Sequence, residues 1–78
     1  MMSTERGHKK IIKMGKWLKK RRESAGISRG TLATRVGATY DTIRLYEEGK
    51  QVMRLDRFFD LLDALNINSD EFFPESEN

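Results

Sequence analysis

Arg44 carries five N–H donors in a planar fork, the geometry that meets the O6 and N7 acceptors on a guanine edge. If the residues around it are helical, Tyr40, Asp41, Leu45 and Glu48 share its face, because steps of one and four residues stay on one side. Asp41 could accept from cytosine N4, Leu45 could touch a thymine methyl, and Tyr40 could hydrogen-bond a base edge or a phosphate. A plainer role for Asp41 is that of a first-turn acid that complements the helix dipole. Arg29, Thr39, Thr42 and Lys50 fall at helix starts or just past a helix end, where side chains and backbone N–H groups meet phosphate oxygens.

Other chemistries find little support. His8 is the only histidine and stands in a polar N-terminal stretch, so a nucleophile has no base, and Ser28 is better explained as a helix cap. Asp60 with Asp63, and Glu47 with Glu48, recur at the spacing of solvated helix surfaces rather than of metal ligands. Without cysteine there is no disulfide and no thiolate metal site, which suits the cytosol. Four scattered methionines make no cofactor box. The chain is expected to be no enzyme and to need neither metal nor cofactor.

The elements that position Arg44 follow from punctuation. Ser28 precedes a helical apolar pattern, Leu32, Ala33 and Val36, and its hydroxyl can accept from an orphaned N–H of the first turn. Gly37 follows Val36 at once and can take the left-handed conformation that closes a helix. Thr39 then caps a second helix whose inward residues are Ile43 and Tyr46, and Gly49 ends it. Two short helices with a glycine at the turn make a helix-turn-helix, whose second helix lies in the major groove of DNA.

The joint spacing of Gly26-Ile27-Ser28, Leu32-Ala33, Val36-Gly37, Thr42-Ile43, Tyr46-Glu47 and Gly49-Lys50 resembles the Xre/Cro family of phage repressors and related bacterial regulators. The resemblance runs from about Met14 to Phe73. It implies an all-α, five-helix, lambda-repressor-like domain that regulates transcription as a homodimer on a near-palindromic operator. It implies that Tyr40, Asp41 and Leu45 stand where such repressors read bases, and that Arg22 and Glu47 form an ion pair linking the first helix to the reader and holding Arg22 against the DNA backbone. The sequence departs from the pattern at several places. None of the reading positions is an amide, Arg29 replaces a usual glutamine, Arg21 a usual apolar residue, and Asn66 a usual glycine.

Seventy-eight residues allow one small domain. Residues 1–55 hold 14 Lys/Arg against 5 Asp/Glu, whereas 56–78 hold one Arg against 7 acids, so the basic part coincides with the proposed reader. Residues 1–9 read as a mobile tail, 10–73 as the domain and 74–78 as a second tail. Within the domain, an amphipathic helix over Lys10–Ser24 places Ile11, Met14, Leu18 and Arg21 on one face, with Trp17 beside them as a core or lid residue. A fourth helix over Leu55–Leu65 is apolar on more than one face. Asn66 suits a left-handed helix end, and Asn68 can cap a fifth helix over Ser69–Phe73.

The surplus apolar surface predicts a homodimer contact made by Val52, Met53, Phe59, Phe72 and Phe73. Expected partners are double-stranded DNA and a second copy of the chain, with a toxin or RNA polymerase subunit as a further option. That last option belongs to a rival reading in which Phe58, Phe59 and Phe72 of the same fold serve protein interaction. No segment resembles a signal peptide or a membrane span, so a soluble cytoplasmic protein is expected.

Overall fold

The computed structural model describes residues 5–72. Helix α1 spans Glu5–Ser24, α2 Arg29–Val36, α3 Tyr40–Glu47 and α4 Leu55–Ala64, followed by a short 3-10 turn at Ser69–Glu71. Among the described residues there is no strand. The punctuation works as expected. Ser28 Oγ accepts from the N–H of Thr31 at 3.1 Å, and Thr39 Oγ1 accepts from the N–H of Thr42 at 3.1 Å. Between them Gly37 takes φ 71° and donates its N–H back to α2, which turns the chain in three residues and sets α3 across α2.

Two expectations are corrected. The first helix begins at Glu5 rather than Lys10, so residues 5–9 are helical and extend α1. Once a helix is nucleated by its packed C-terminal part, adding residues with fair helical propensity costs little, and apolar content is not required. Second, the fifth helix is only a 3-10 turn over the described residues. Asn68 Oδ1 accepts from the N–H of Asp70 at 2.9 Å, two residues on, which builds a tight turn rather than the first turn of an α-helix. Residues 1–4, Phe73 and the expected tail 74–78 lie outside the described residues.

The core is one cluster. Leu18 of α1, Leu32 and Ala33 of α2, Ile43 and Tyr46 of α3, Phe58, Leu61 and Leu62 of α4, and Leu65 and Ile67 beyond it are all buried. Asn66, at φ 56°, makes the left-handed step that returns Ile67 to this core. Trp17 packs edge-on against Phe72 at 5.2 Å between centroids and lies 6.2 Å from Phe58, so it closes one end of the bundle. Arg21 does not join the apolar face. It pairs with Glu71 at 3.0 Å and sets its guanidinium over the Trp17 ring.

Gly15 explains how closely α1 meets the reader. A Cβ there would run into the backbone carbonyl of Tyr46 and lie 2.7 Å from that of Glu47, so only glycine lets the two helices touch backbone to side. On the far side, Arg57 Nη1 donates to the carbonyl of Val36 at 2.8 Å and Arg35 Nη1 to that of Ala64 at 3.3 Å. These bonds satisfy helix-end acceptors and tie α2 to α4. Helix α3 is thus held from both sides while its outer face stays open.

Candidate nucleic-acid interface

The outer face of α3 carries Tyr40, Asp41, Arg44, Leu45 and Glu48, as helical spacing requires. Tyr40 is exposed, and Arg44 and Leu45 are half-buried. These side chains form a network. Asp41 Oδ1 accepts from Arg44 Nε at 2.9 Å and from Nη2 at 2.8 Å, while Arg44 Nη1 donates to Glu48 Oε1 at 3.1 Å. Lys50 Nζ reaches the same Glu48 oxygen at 3.3 Å. The hydrogen bond and charge of Asp41 push the Arg44 guanidinium above its ordinary pKa, so it stays cationic. Hydrogen bonding to Lys50 foremost, with Arg44 adding to it, pulls Glu48 below the usual carboxylate value.

A second cation stands at the entrance to this face. Arg29, first residue of α2, donates Nε–H to Glu47 Oε1 at 2.9 Å and lays its guanidinium 5.9 Å from the centre of the Tyr40 ring. Its pKa is raised by hydrogen bonding to Glu47 first and to Tyr40 second. The sequence marked Arg29 only as a phosphate contact at a helix start. Its tie to Glu47, eighteen residues away, is nonlocal and had no local signal.

Glu47 itself is the anchor. Its side chain has no exposed surface, and it also receives Arg22 Nε at 2.6 Å on Oε2 and Arg22 Nη2 at 3.1 Å on Oε1. Arg22 Nη1 donates to the carbonyl of Ile27 at 2.9 Å. One carboxylate therefore joins α1, α2 and α3, and the ion pair expected between Arg22 and Glu47 is present. Arg22, expected also to meet phosphate, is 8 % exposed, so most of its fork is spent inside the protein.

The remaining expected phosphate contacts cluster at the start and end of α3. Thr39 and Thr42 hydroxyls lie 3.0 Å apart at its N-terminus, and Lys50 follows its C-terminus beside Glu48. Thr39 and Thr42 thus stand at the start of α3 and Lys50 just past its end, while Arg29 opens α2 against the Tyr40 ring.

Of the residues expected at a subunit contact, Val52, Phe59 and Phe72 are exposed and Met53 is half-buried. Val52 and Leu55 are 68 % and 63 % exposed, and they rim an apolar hollow of about 380 Å³ that Met53 and Met14 line. Phe59 lies beside Leu55. Phe72 packs on Trp17 and Phe58 of its own chain, Phe59 packs on the same Phe58, and Phe73 is outside the described residues. Leu55, read from sequence only as part of the apolar helix, is the most central exposed residue of this surface.

Among the described residues no three His, Asp or Glu side chains converge as metal ligands, and no helix is long and apolar enough to cross a membrane. A short helix closed by a left-handed glycine, followed by a capped second helix with an open polar face and flanking cations, defines a helix-turn-helix domain of the Xre type. Residues 13–72 match the family described as "Helix-turn-helix domain", and the chain belongs to it.

Relatives agree. A Rhodospirillum rubrum protein described as an uncharacterized transcriptional regulator in the ATPase CF(0) region is 31% identical over 64 residues, which are 82% of this chain and 59% of that protein. The chain therefore spans somewhat more than half the length of this relative. Among solved structures, the restriction-modification controller protein C.AhdI from Aeromonas hydrophila superposes with a TM-score of 0.78 at 28% identity, covering 82% of this chain and 93% of that one.

Proposed function

We propose that the protein binds a near-palindromic operator in duplex DNA as a homodimer, in the cytoplasm, and so controls transcription. The observation that carries this reading is the placement of Arg44 on the open face of α3, with Arg29 and the capped ends of α2 and α3 beside it. Arg44 reads a guanine edge, Leu45 touches an adjacent base, and Tyr40 meets a base edge or phosphate. Arg29, Thr39, Thr42 and Lys50 bind phosphates and set the register. Arg22 acts mainly from behind, through Glu47.

The likeness to a restriction-modification controller makes a role of that kind the nearest analogy, with a phage repressor or antitoxin as the other forms the family takes. The apolar surface around Val52, Leu55 and Phe59 suits a second copy, and two-fold symmetry would place two α3 helices roughly 34 Å apart, on half-sites about 10 base pairs from centre to centre. The same surface keeps one rival open, a module that binds a toxin or polymerase subunit, but the basic balance of residues 1–55 favours DNA.

Selection of the purified protein against a randomised duplex library tests the reading. Enrichment of an inverted repeat with that spacing is the expected result. Recovery of an unenriched library at low and moderate salt would overturn it.

A further inference from the structure

We propose that Asp41 does not read a base but positions the guanidinium that does, presenting the end of the Arg44 fork to guanine. The inference rests on the base-reading role of Arg44 given above. Asp41 Oδ1 takes one N–H from Nε and one from Nη2, at 2.9 and 2.8 Å, which occupies the side edge of the guanidinium. Glu48, one turn further along, takes one N–H from Nη1 at 3.1 Å. Of the five N–H groups two remain, one on each terminal nitrogen, and a guanine edge asks for two parallel donors of this kind.

Charge makes the arrangement informative. Residues 1–55 contain five acids, and two of them, Asp41 and Glu48, sit on the one face that phosphates must approach. A carboxylate there weakens binding to any polyanion, whatever its sequence. Both acids are bonded to Arg44, so their effect on the network is to restrict a long side chain whose freedom would otherwise be lost on binding. Asp41 Oδ1 is thereby committed to Arg44, which fixes how the carboxylate sits and leaves only Oδ2 for any other donor.

The experiment compares the wild-type protein, Asp41→Asn, Arg44→Ala and the double variant by selection from a randomised duplex library, with base preferences quantified at each position. Circular dichroism melts confirm that each variant folds; Asp41 is exposed and Thr39 still caps α3. Arg44→Ala should lose a guanine preference at one position of each half-site. Asp41→Asn should reduce that same preference roughly two- to tenfold, while binding to the unselected library stays level or strengthens. In the Arg44→Ala background, Asp41→Asn should change no base preference.

Two results overturn the inference while leaving Arg44 as a reader. One is an unchanged guanine preference in Asp41→Asn. The other is loss of preference at a different position that persists in the double variant, which would make Asp41 a reader in its own right. If Arg44→Ala leaves every preference intact, the base-reading assignment itself is wrong and the inference falls with it.

Discussion

Arg22 and Glu47 meet at 2.6 Å across twenty-five residues of sequence, and their ion pair is buried at the junction of α1 with the reader. Arg29 adds a second guanidinium to the same carboxylate. Replacing Glu47 by Gln leaves Arg22 charged, buried and short of its acceptor. Breaking one partner of a buried pair costs about 3–5 kcal/mol. The expected outcome is a fall of well over ten degrees in Tm for a domain of this size, measured by circular dichroism. A Tm within two degrees of wild type would show that the pair is dispensable.

Two glycines in helices should respond in opposite directions to alanine. Gly15 faces the carbonyls of Tyr46 and Glu47, where a methyl has no room, so Gly15→Ala should destabilise by about 1–3 kcal/mol despite its better helix propensity. At Gly30 in α2 a Cβ would find only Ser28 Oγ, at 3.9 Å, so Gly30→Ala should stabilise by about 0.4–1 kcal/mol. Urea melts of the two variants check the sign directly, and stabilisation by Gly15→Ala would contradict the close packing of α1 on α3.

The turn between α2 and α3 was legible because its determinants are local. Ser28, Gly37 and Thr39 each act within a few residues, as Asn66 does after α4, and each does what its side chain or freedom of φ dictates. The spacing of Asp41, Arg44 and Glu48 was also visible, and it correctly placed them on one face. What spacing did not convey is that these three side chains bind one another before they bind anything else. The capture of Arg29 by Glu47, and the need for glycine at position 15, depend on how helices distant in sequence cross. Leu55 was legible only as part of a fourth helix with surplus apolar surface; it begins α4 and remains exposed.

Arg44 and Arg29 should separate reading from positioning. Arg44→Ala is expected to cost about 1–3 kcal/mol on a selected duplex and little on random DNA. Arg29→Ala should weaken both alike, because its guanidinium lies at the start of α2 against the Tyr40 ring, a position suited to phosphate rather than to a base edge. Anisotropy titrations of both variants on both duplexes decide the matter. Equal losses on the two DNAs for Arg44→Ala would contradict the assignment.

Leu55→Glu tests the proposed subunit contact without touching α3. A carboxylate amid Val52, Met53 and Phe59 should disfavour an apolar two-fold contact while being tolerated in the monomer, where Leu55 is already exposed. Sedimentation at micromolar concentration should show wild type at twice the 9.1 kDa chain mass and the variant at the chain mass. A wild type that sediments as a monomer, both free and on a two-half-site duplex, would remove the dimer from the account.

The claim on which the rest depends is specific, electrostatically driven binding to duplex DNA, and a salt series tests it most directly. Fluorescence anisotropy with a selected duplex and with a scrambled one, from 50 to 200 mM salt, should give log affinity falling with log salt at roughly −0.9 per phosphate contacted, on both duplexes, with the selected one tighter throughout. A flat salt dependence, or equal affinity for the two duplexes at every salt concentration, would contradict it.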